Sequence, residues 1–486
     1  MSRSQESSCD ETTGLLHEDS GSQDPLDTHN DDPADSHWIV TIILLCGGAV
    51  LFDLSNNLGS VAEIAILEDI VCRDYYATSA TTTISWSPEG CKIGPIQTEI
   101  ALLNGWRETF ETIPAILLAL PYGMLADKIG YRPVALLALF GSAMSANWNR
   151  IVFWLHPILP TRAVWLSALW QILGGGPQVV TSLSFSAAAT VIPTQKRTNI
   201  FSQMTAVILT TELIAPPIGA ALMAINPWIP FLTSSGIAAI SVIWGVLFFP
   251  ETHIQTDQAS TPVNKHPSSR IGDALQTIQE FYGQLSQNKN VAFVVASFSV
   301  ALLGTHAFGL LLQYMSKRFH MSYAEASYVL PLRAGTNLIS LFTLLPAATR
   351  ILDRNWGLDI ISRDKLLTQA SALAMFLGCL LIFAAPTLVF LSIGVVVFGL
   401  GASFPVTART LVTSLVDEKS LNTAYALMSV MSSIGSLVSG PLLAGVYHLG
   451  MVMGSTWLGL PFLFAAALYG LALISISAVR VPSYTA

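Results

Sequence analysis

Charge is what this sequence has least of. Only 11% of its 486 residues are Asp, Glu, Lys or Arg, against about 25% in a water-soluble domain. A string of soluble domains, which the length alone suggests, is excluded by that deficit. The five cysteines, Cys9, Cys46, Cys72, Cys91 and Cys379, form no C-x-x-C, which argues against a redox dithiol or a zinc knuckle. No G-x-x-x-x-G-K-[ST] occurs, so hydrolysis of a nucleoside triphosphate is not the energy source. No nucleophile–base pattern or metal-ligand cluster stands out, so neither an enzyme nor a bound cofactor or metal is expected. No basic patch points to nucleic acid, and no N-x-[ST] sequon to N-glycosylation.

What is present is apolar sequence: 52% of the residues are hydrophobic, gathered in runs long enough to cross a bilayer, which takes roughly 20 residues as a helix. The reading is an all-α membrane protein of twelve transmembrane helices in two six-helix halves. Residues 1–37 form an acidic tail with ten Asp or Glu and one Arg, too polar to fold and without the layout of a signal peptide. Within it Glu11, Leu15 and Leu16 resemble an acidic dileucine sorting signal. Residues 38–250 form the first half, 251–290 a cytoplasmic linker, 291–478 the second half and 479–486 a short tail. The first span is expected over 38–58, with a long external loop over 63–98. That loop holds Cys72 and Cys91, as a disulfide or as two free thiols.

The most specific stretch joins the second and third spans: Gly123, Leu125, Asp127, Lys128, Gly130 and Arg132 in GMLADKIGYRPV. It resembles the signature of the major facilitator superfamily, G-x-L-x-D-(R/K)-x-G-(R/K)-(R/K), with Tyr131 in place of one positive charge. The resemblance implies a twelve-helix secondary transporter that works by alternating access. It further implies that this loop is a conformational switch, locking the second and eleventh spans together in one state. Asp417, Glu418 and Lys419 offer partners near the eleventh span.

An even number of spans puts both termini on one face. With the termini inside, inner segments hold 15 of the 23 Lys and Arg and outer loops six, Arg150 among them, which favours cytoplasmic termini. An internal repeat supports two parallel halves: Met204 and Pro217 recur as Met428 and Pro441, and Asp127-Lys128 as Asp353-Arg354.

In the fifth span, Ala215-Pro216-Pro217-Ile218-Gly219-Ala220 resembles the family's antiporter motif, G-P-x-x-G-G, with both outer glycines replaced. Its functional residues are Pro216, Pro217 and Gly219, with a counterpart at Gly440-Pro441; ordinary small-residue packing is the other reading. The fourth span departs from the family: Trp170 stands where an arginine linked to proton transfer is usual.

Ionisable residues inside spans are costly and so mark function. The second span carries Arg107, Glu108 and Glu111; Arg107 and Glu111 are one turn apart and suited to pair. Glu212 in the fifth span is the leading proton carrier, because a poorly hydrated carboxylate holds its proton to higher pH; otherwise it pairs with Arg333 of the eighth. Asp53 and His306 complete the candidates.

The function expected is secondary transport of a small organic molecule, with proton-driven export favoured. The ILEDIVCRDYY stretch and Gly105, Trp106, Phe110 and Pro114 resemble fungal facilitators, several of which sit beside natural-product pathways. A proton-coupled nutrient importer is the alternative; a non-transporting sensor fits less well, given the short C-terminal tail. The expected partners are substrate, protons and the lipid bilayer, with a monomer at the plasma membrane, or at the vacuolar membrane.

Overall fold

A computed structural model describes residues 33–78, 88–192, 197–251, 289–356, 359–416 and 418–479. The linker (apart from its ends), most of the acidic tail, Asp417 and the side chains of Glu418 and Lys419 lie outside what the structure describes. Among the described residues every regular element is helical.

The first half comprises α1 (Pro33–Thr78), α2 (Gly94–Ile129), α3 (Tyr131–Trp154), α4 (Thr161–Leu166, Ser167–Gln171 and Pro177–Val191), α5 (Arg197–Met223) and α6 (Trp228–Phe248). The second comprises α7 (Lys289–Thr305, His306–Leu310 and Leu311–Phe319), α8 (Tyr323–Ser327, then a broken rod from Leu330 to Trp356), α9 (Ile360–Ala384), α10 (Leu388–Leu400 and Phe404–Leu415), α11 (Glu418–Met453) and α12 (Leu460–Ser477). Nine of these helices are long and apolar enough to span a membrane, and α2 makes a tenth if its two parts, bent by 47° at Pro121, count as one. A proline there removes a backbone donor and crowds the preceding turn. The remaining rods, α3 and α4, do not reach that measure, so the described residues show nine or ten of the twelve spans expected. Rod α4 is interrupted by Gly174, Gly175 and Gly176, with φ of 93°, 83° and 78°. Side chains disfavour that region, and a Cβ on Gly174 would meet the Ala138 backbone of α3 at 2.3 Å.

The first span differs most from expectation. It has 46 residues, about 69 Å at 1.5 Å per residue, and it absorbs Glu63, Glu68, Asp69 and Arg73, which sequence reading assigned to a loop. It also starts at Pro33, four residues inside the segment read as tail. The reason is helical: Arg73 Nη2 lies 2.7 Å from Asp69 Oδ2 one turn back, and apolar residues recur on one face, where Ile66, Leu67 and Ile70 are buried. Arg150, read as a loop residue, lies in α3, donating to Phe231 O at 3.0 Å and Ser234 Oγ at 2.6 Å on α6.

The halves meet unequally at their two ends. One end carries the Cys72–Cys91 disulfide, between α1 and the turn before α2; the other carries the Gly123–Arg132 loop. A continuous apolar core joins the halves toward the disulfide end, from Val61, Ile96 and Leu103 to Phe308, Tyr323 and Leu443. Toward the signature end the first half has a separate cluster of its own, including Ile42, Ala126, Val134, Val179 and Met204. Along α8, the segments Tyr323–Ser327 and Leu330–Ile339 pack on α5, whereas the principal neighbours of Leu345–Ile351 belong to its own half. The halves thus share a core toward the disulfide end, while toward the signature end the first half keeps a core of its own.

Candidate transport site

Between the halves, at mid-height, lies a cavity of ≈ 290 Å³. Helices α1, α2 and α5 supply Ser60, Glu63, Arg107, Glu108, Glu212 and Pro216; α7 and α8 supply Phe308, Leu330 and Arg333. Four of the residues singled out from sequence, Arg107, Glu108, Glu212 and Arg333, therefore share one chamber. Charges so placed are tolerated only with partners, and the partners are specific.

Glu212 is paired: Arg333 Nη2 donates to its Oε1 at 2.8 Å, joining α5 to α8 across the halves. Arg333 also sits over the Phe308 ring, 5.4 Å from its centroid. Arg107 does not pair with Glu111 as spacing suggested. Its guanidinium donates to Glu63 of α1, whose Oε1 also accepts from Asn149 at 3.2 Å. Glu111 instead accepts from Ser167 Oγ of α4 at 2.7 Å. Arg107 and Glu111 share a face of α2, but each finds its hydrogen-bond partner on another helix. Glu63 was the functional residue missed, because it was taken for loop.

Glu108 is the cavity carboxylate without an arginine hydrogen bond. Facing it from α7 is His306, with Nδ1 at 3.9 Å and Nε2 at 3.2 Å from Ser436 Oγ on α11. Asp53 lies elsewhere, lining a recess of about 50 Å³ inside the first half with Phe52, Phe185 and Trp244. Trp170, at the position of the family's arginine, stacks at a tilt against Trp148 with 6.4 Å between centroids.

Two cross-half seams flank the cavity. In α2–α11 the backbones touch: a Cβ on Gly105 would lie 2.6 Å from Gly440 O, and one on Gly440 2.1 Å from Gly105 O. Only glycine permits that approach. The seam continues from Thr98 Oγ1, 3.0 Å from His448 Nδ1, to Thr109, which donates to Leu437 O at 3.0 Å. The motif of α5 plays a different part: a Cβ on Gly219 would meet Leu58 O of α1 at 2.6 Å, so Gly219 packs α5 within its own half. Pro216 faces the cavity and Pro217 is carried inside the continuous helix.

At the signature end Gly130 takes φ 95° and makes the reversal between α2 and α3. Arg132 donates to Glu251 and, at 2.6 Å, to Val246 O at the end of α6. Tyr131 OH donates to Asp127 Oδ1 at 3.4 Å, so the departure from the family pattern keeps a local link to the aspartate. Lys128 is exposed. Among the described residues these contacts stay within the first half; none reaches α11. In the second half Asp353 accepts from Arg363 at 3.1 Å, again within one half.

The sequence model of the Major Facilitator Superfamily matches residues 94–358 and 291–485. The chain belongs to the major facilitator superfamily. This facilitator is 33% identical over 452 residues to the Efflux pump ustT of Aspergillus flavus, covering 89% of this chain and 86% of that protein. It is 32% identical over 446 residues to the MFS efflux pump atnC of Emericella nidulans, covering 88% and 86%. Its fold matches the crystal structure of a bacterial homologue of the iron transporter ferroportin with a TM-score of 0.62 at 16% identity, covering 90% of the facilitator and 98% of the other chain. It is a multi-pass membrane transporter and not an enzyme.

Proposed function

We propose that this facilitator exports a small organic molecule in exchange for protons, by alternating exposure of the central cavity. The observation that carries the reading is the charge arrangement there: Glu63 and Glu212 each accept a hydrogen bond from an arginine, while Glu108 accepts none from its neighbour Arg107 and faces His306 at 3.9 Å. A carboxylate in a span without a fixed cationic hydrogen-bond partner is available to a proton or to a cationic substrate. That is the requirement for coupling. Glu212, the leading candidate from sequence, gives way to Glu108 because Arg333 already engages it across the halves. The names of the two relatives, both efflux pumps, and the α5 motif support the outward direction.

The signature end is cytoplasmic, on the strength of the uneven Lys and Arg distribution, so the arrangement described above is open inward. Both termini then face the cytoplasm, residues 251–290 link the halves there, and the protein acts as a monomer in the plasma membrane. Asp127, Lys128 and Arg132 form the inner lock once α2 and α11 close.

The test is transport into sealed inside-out vesicles with an acidic lumen, scored against a panel of small metabolites. Accumulation that a protonophore abolishes is the expected result. Substrate leaving the vesicles together with protons identifies an importer instead.

A further inference from the structure

A chamber of ≈ 680 Å³ opens between the halves at the disulfide end. It is lined by the continuation of the helices that line the central cavity. On α1 the central cavity uses Ser60, Glu63 and Ile64 and the outer chamber Ala65 and Glu68; on α5 Pro216 is followed by Ala220 and Met223. On α8, running the other way, Arg333 and Leu330 are followed by Tyr328 and Ala324. The two spaces therefore follow one another along the same three helices, α1, α5 and α8.

At the wall of the outer chamber stands Lys92. Its Nζ lies 2.8 Å from Glu68 Oε1 and donates to Glu68 Oε2 at 2.9 Å. It also sits over the ring of Tyr323, 4.3 Å from the centroid. Glu68 belongs to the first half and Tyr323 to the second, and each is 5% exposed. A lysine wedged at the chamber wall between a buried carboxylate and a buried aromatic face binds both more firmly than at an open surface. The turn that carries it, Pro88–Lys92, is tethered three times: by the Cys72–Cys91 bond, by Tyr76 OH donating to Gly90 O at 2.9 Å, and by Gln97 Nε2 donating to Cys91 O at 3.2 Å. The disulfide partner is the residue immediately before Lys92.

We infer that Lys92, held in position by the Cys72–Cys91 bond, closes the path from the central cavity to the disulfide face and is a positioning residue for transport. Tyr323 moves with the second half, so opening that face breaks the lysine–ring contact while the lysine stays with Glu68. Lys92 then belongs to the first half, and its grip on Tyr323 sets how long the exit stays shut. Calling that face the outside rests on the orientation proposed above.

The experiment uses intact cells expressing the full chain with Asn104→Cys, a residue lining the central cavity, and a membrane-impermeant maleimide added outside. The chain without the introduced cysteine sets the background. Slow labelling of the Asn104→Cys parent is expected; fast labelling overturns the orientation, and the exit with it. Adding Lys92→Gln or Tyr323→Leu is expected to speed labelling about fivefold, the scale of one lost cation–π contact. Lys92→Arg keeps it slow. Arg162→Gln, which breaks a pair with Glu99 inside the first half, also leaves it slow. The double variant Cys72→Ser, Cys91→Ser is expected to give about half the Lys92→Gln acceleration by loosening the turn; if it fails to reach the cell surface, Lys92→Gln, which leaves the disulfide intact, carries the test. A slow parent with equally slow Lys92→Gln and Tyr323→Leu overturns the inference while leaving the transport reading intact.

Discussion

The two seams that join the halves are related by the internal repeat, yet they are built from opposite materials. Seam α2–α11 is backbone on backbone, with Gly105 against Gly440. Seam α5–α8 is looser: a Cβ on Gly335 would still be 3.6 Å from Leu213, and the tie is the Glu212–Arg333 pair. A glycine contact is short-ranged and shape-dependent, and it gives one fixed crossing point. An ion pair tolerates changes of angle and distance, so it is the seam suited to flex. Pseudo-symmetry of fold therefore leaves room for a rigid pivot on one side of the cavity and a compliant hinge on the other.

That contrast predicts unequal effects of substitution. Gly440→Val should be the most damaging, since a branched side chain forces α2 and α11 apart; overpacking of this kind costs about 1–3 kcal/mol, and transport should fall below about a tenth. The check is transport by vesicles matched for protein content, together with loss of cross-linking between cysteines introduced at Thr98 and His448. Arg333→Ala should come next. It strands Glu212, but both side chains are 30% exposed, so the loss is roughly 1–3 kcal/mol, below that of a fully buried pair, read as a lowered melting temperature of the solubilised protein. Glu212→Gln should be milder, because the amide still accepts from Arg333. It should lower the rate and leave the pH profile unchanged; a flattened profile would return the proton to Glu212. Asp127→Asn should be smallest for stability, within about 0.5 kcal/mol for an exposed site, while slowing transport, as measured by initial rates at constant surface expression. Normal rates would remove Asp127 from the inner lock.

Much of the fold was legible because apolar runs and the Gly123–Arg132 spacing are local signals. The length of α1 was hidden by polarity: Glu63, Glu68, Asp69, Arg73 and Asp74 read as a loop. Yet the Asp69–Arg73 spacing and the apolar face of Ile66, Leu67 and Ile70 were available as helical signals. Pairing was less legible than placement. The cavity's charged residues were found, but the partners of Arg107 and Glu111 lie on α1 and α4, 44 and 56 residues away in sequence, and no spacing rule reaches that far. Only the cross-half Glu212–Arg333 pair was foreseen, as one of two readings, because the spans expected from sequence leave Arg333 as the one cation inside a span of the second half. The role of Lys92 depended on the fold of a turn that sequence left featureless.

The most direct measurement compares two assays on Glu108→Gln in the same vesicles. One is accumulation driven by an imposed pH gradient; the other is exchange of labelled for unlabelled substrate at equal pH on both sides. If Glu108 couples the proton, exchange persists within about twofold while gradient-driven accumulation disappears, since the alternation remains but the proton has no seat. Gradient-driven accumulation equal to that of the natural chain would contradict the proposal that Glu108 links proton movement to export.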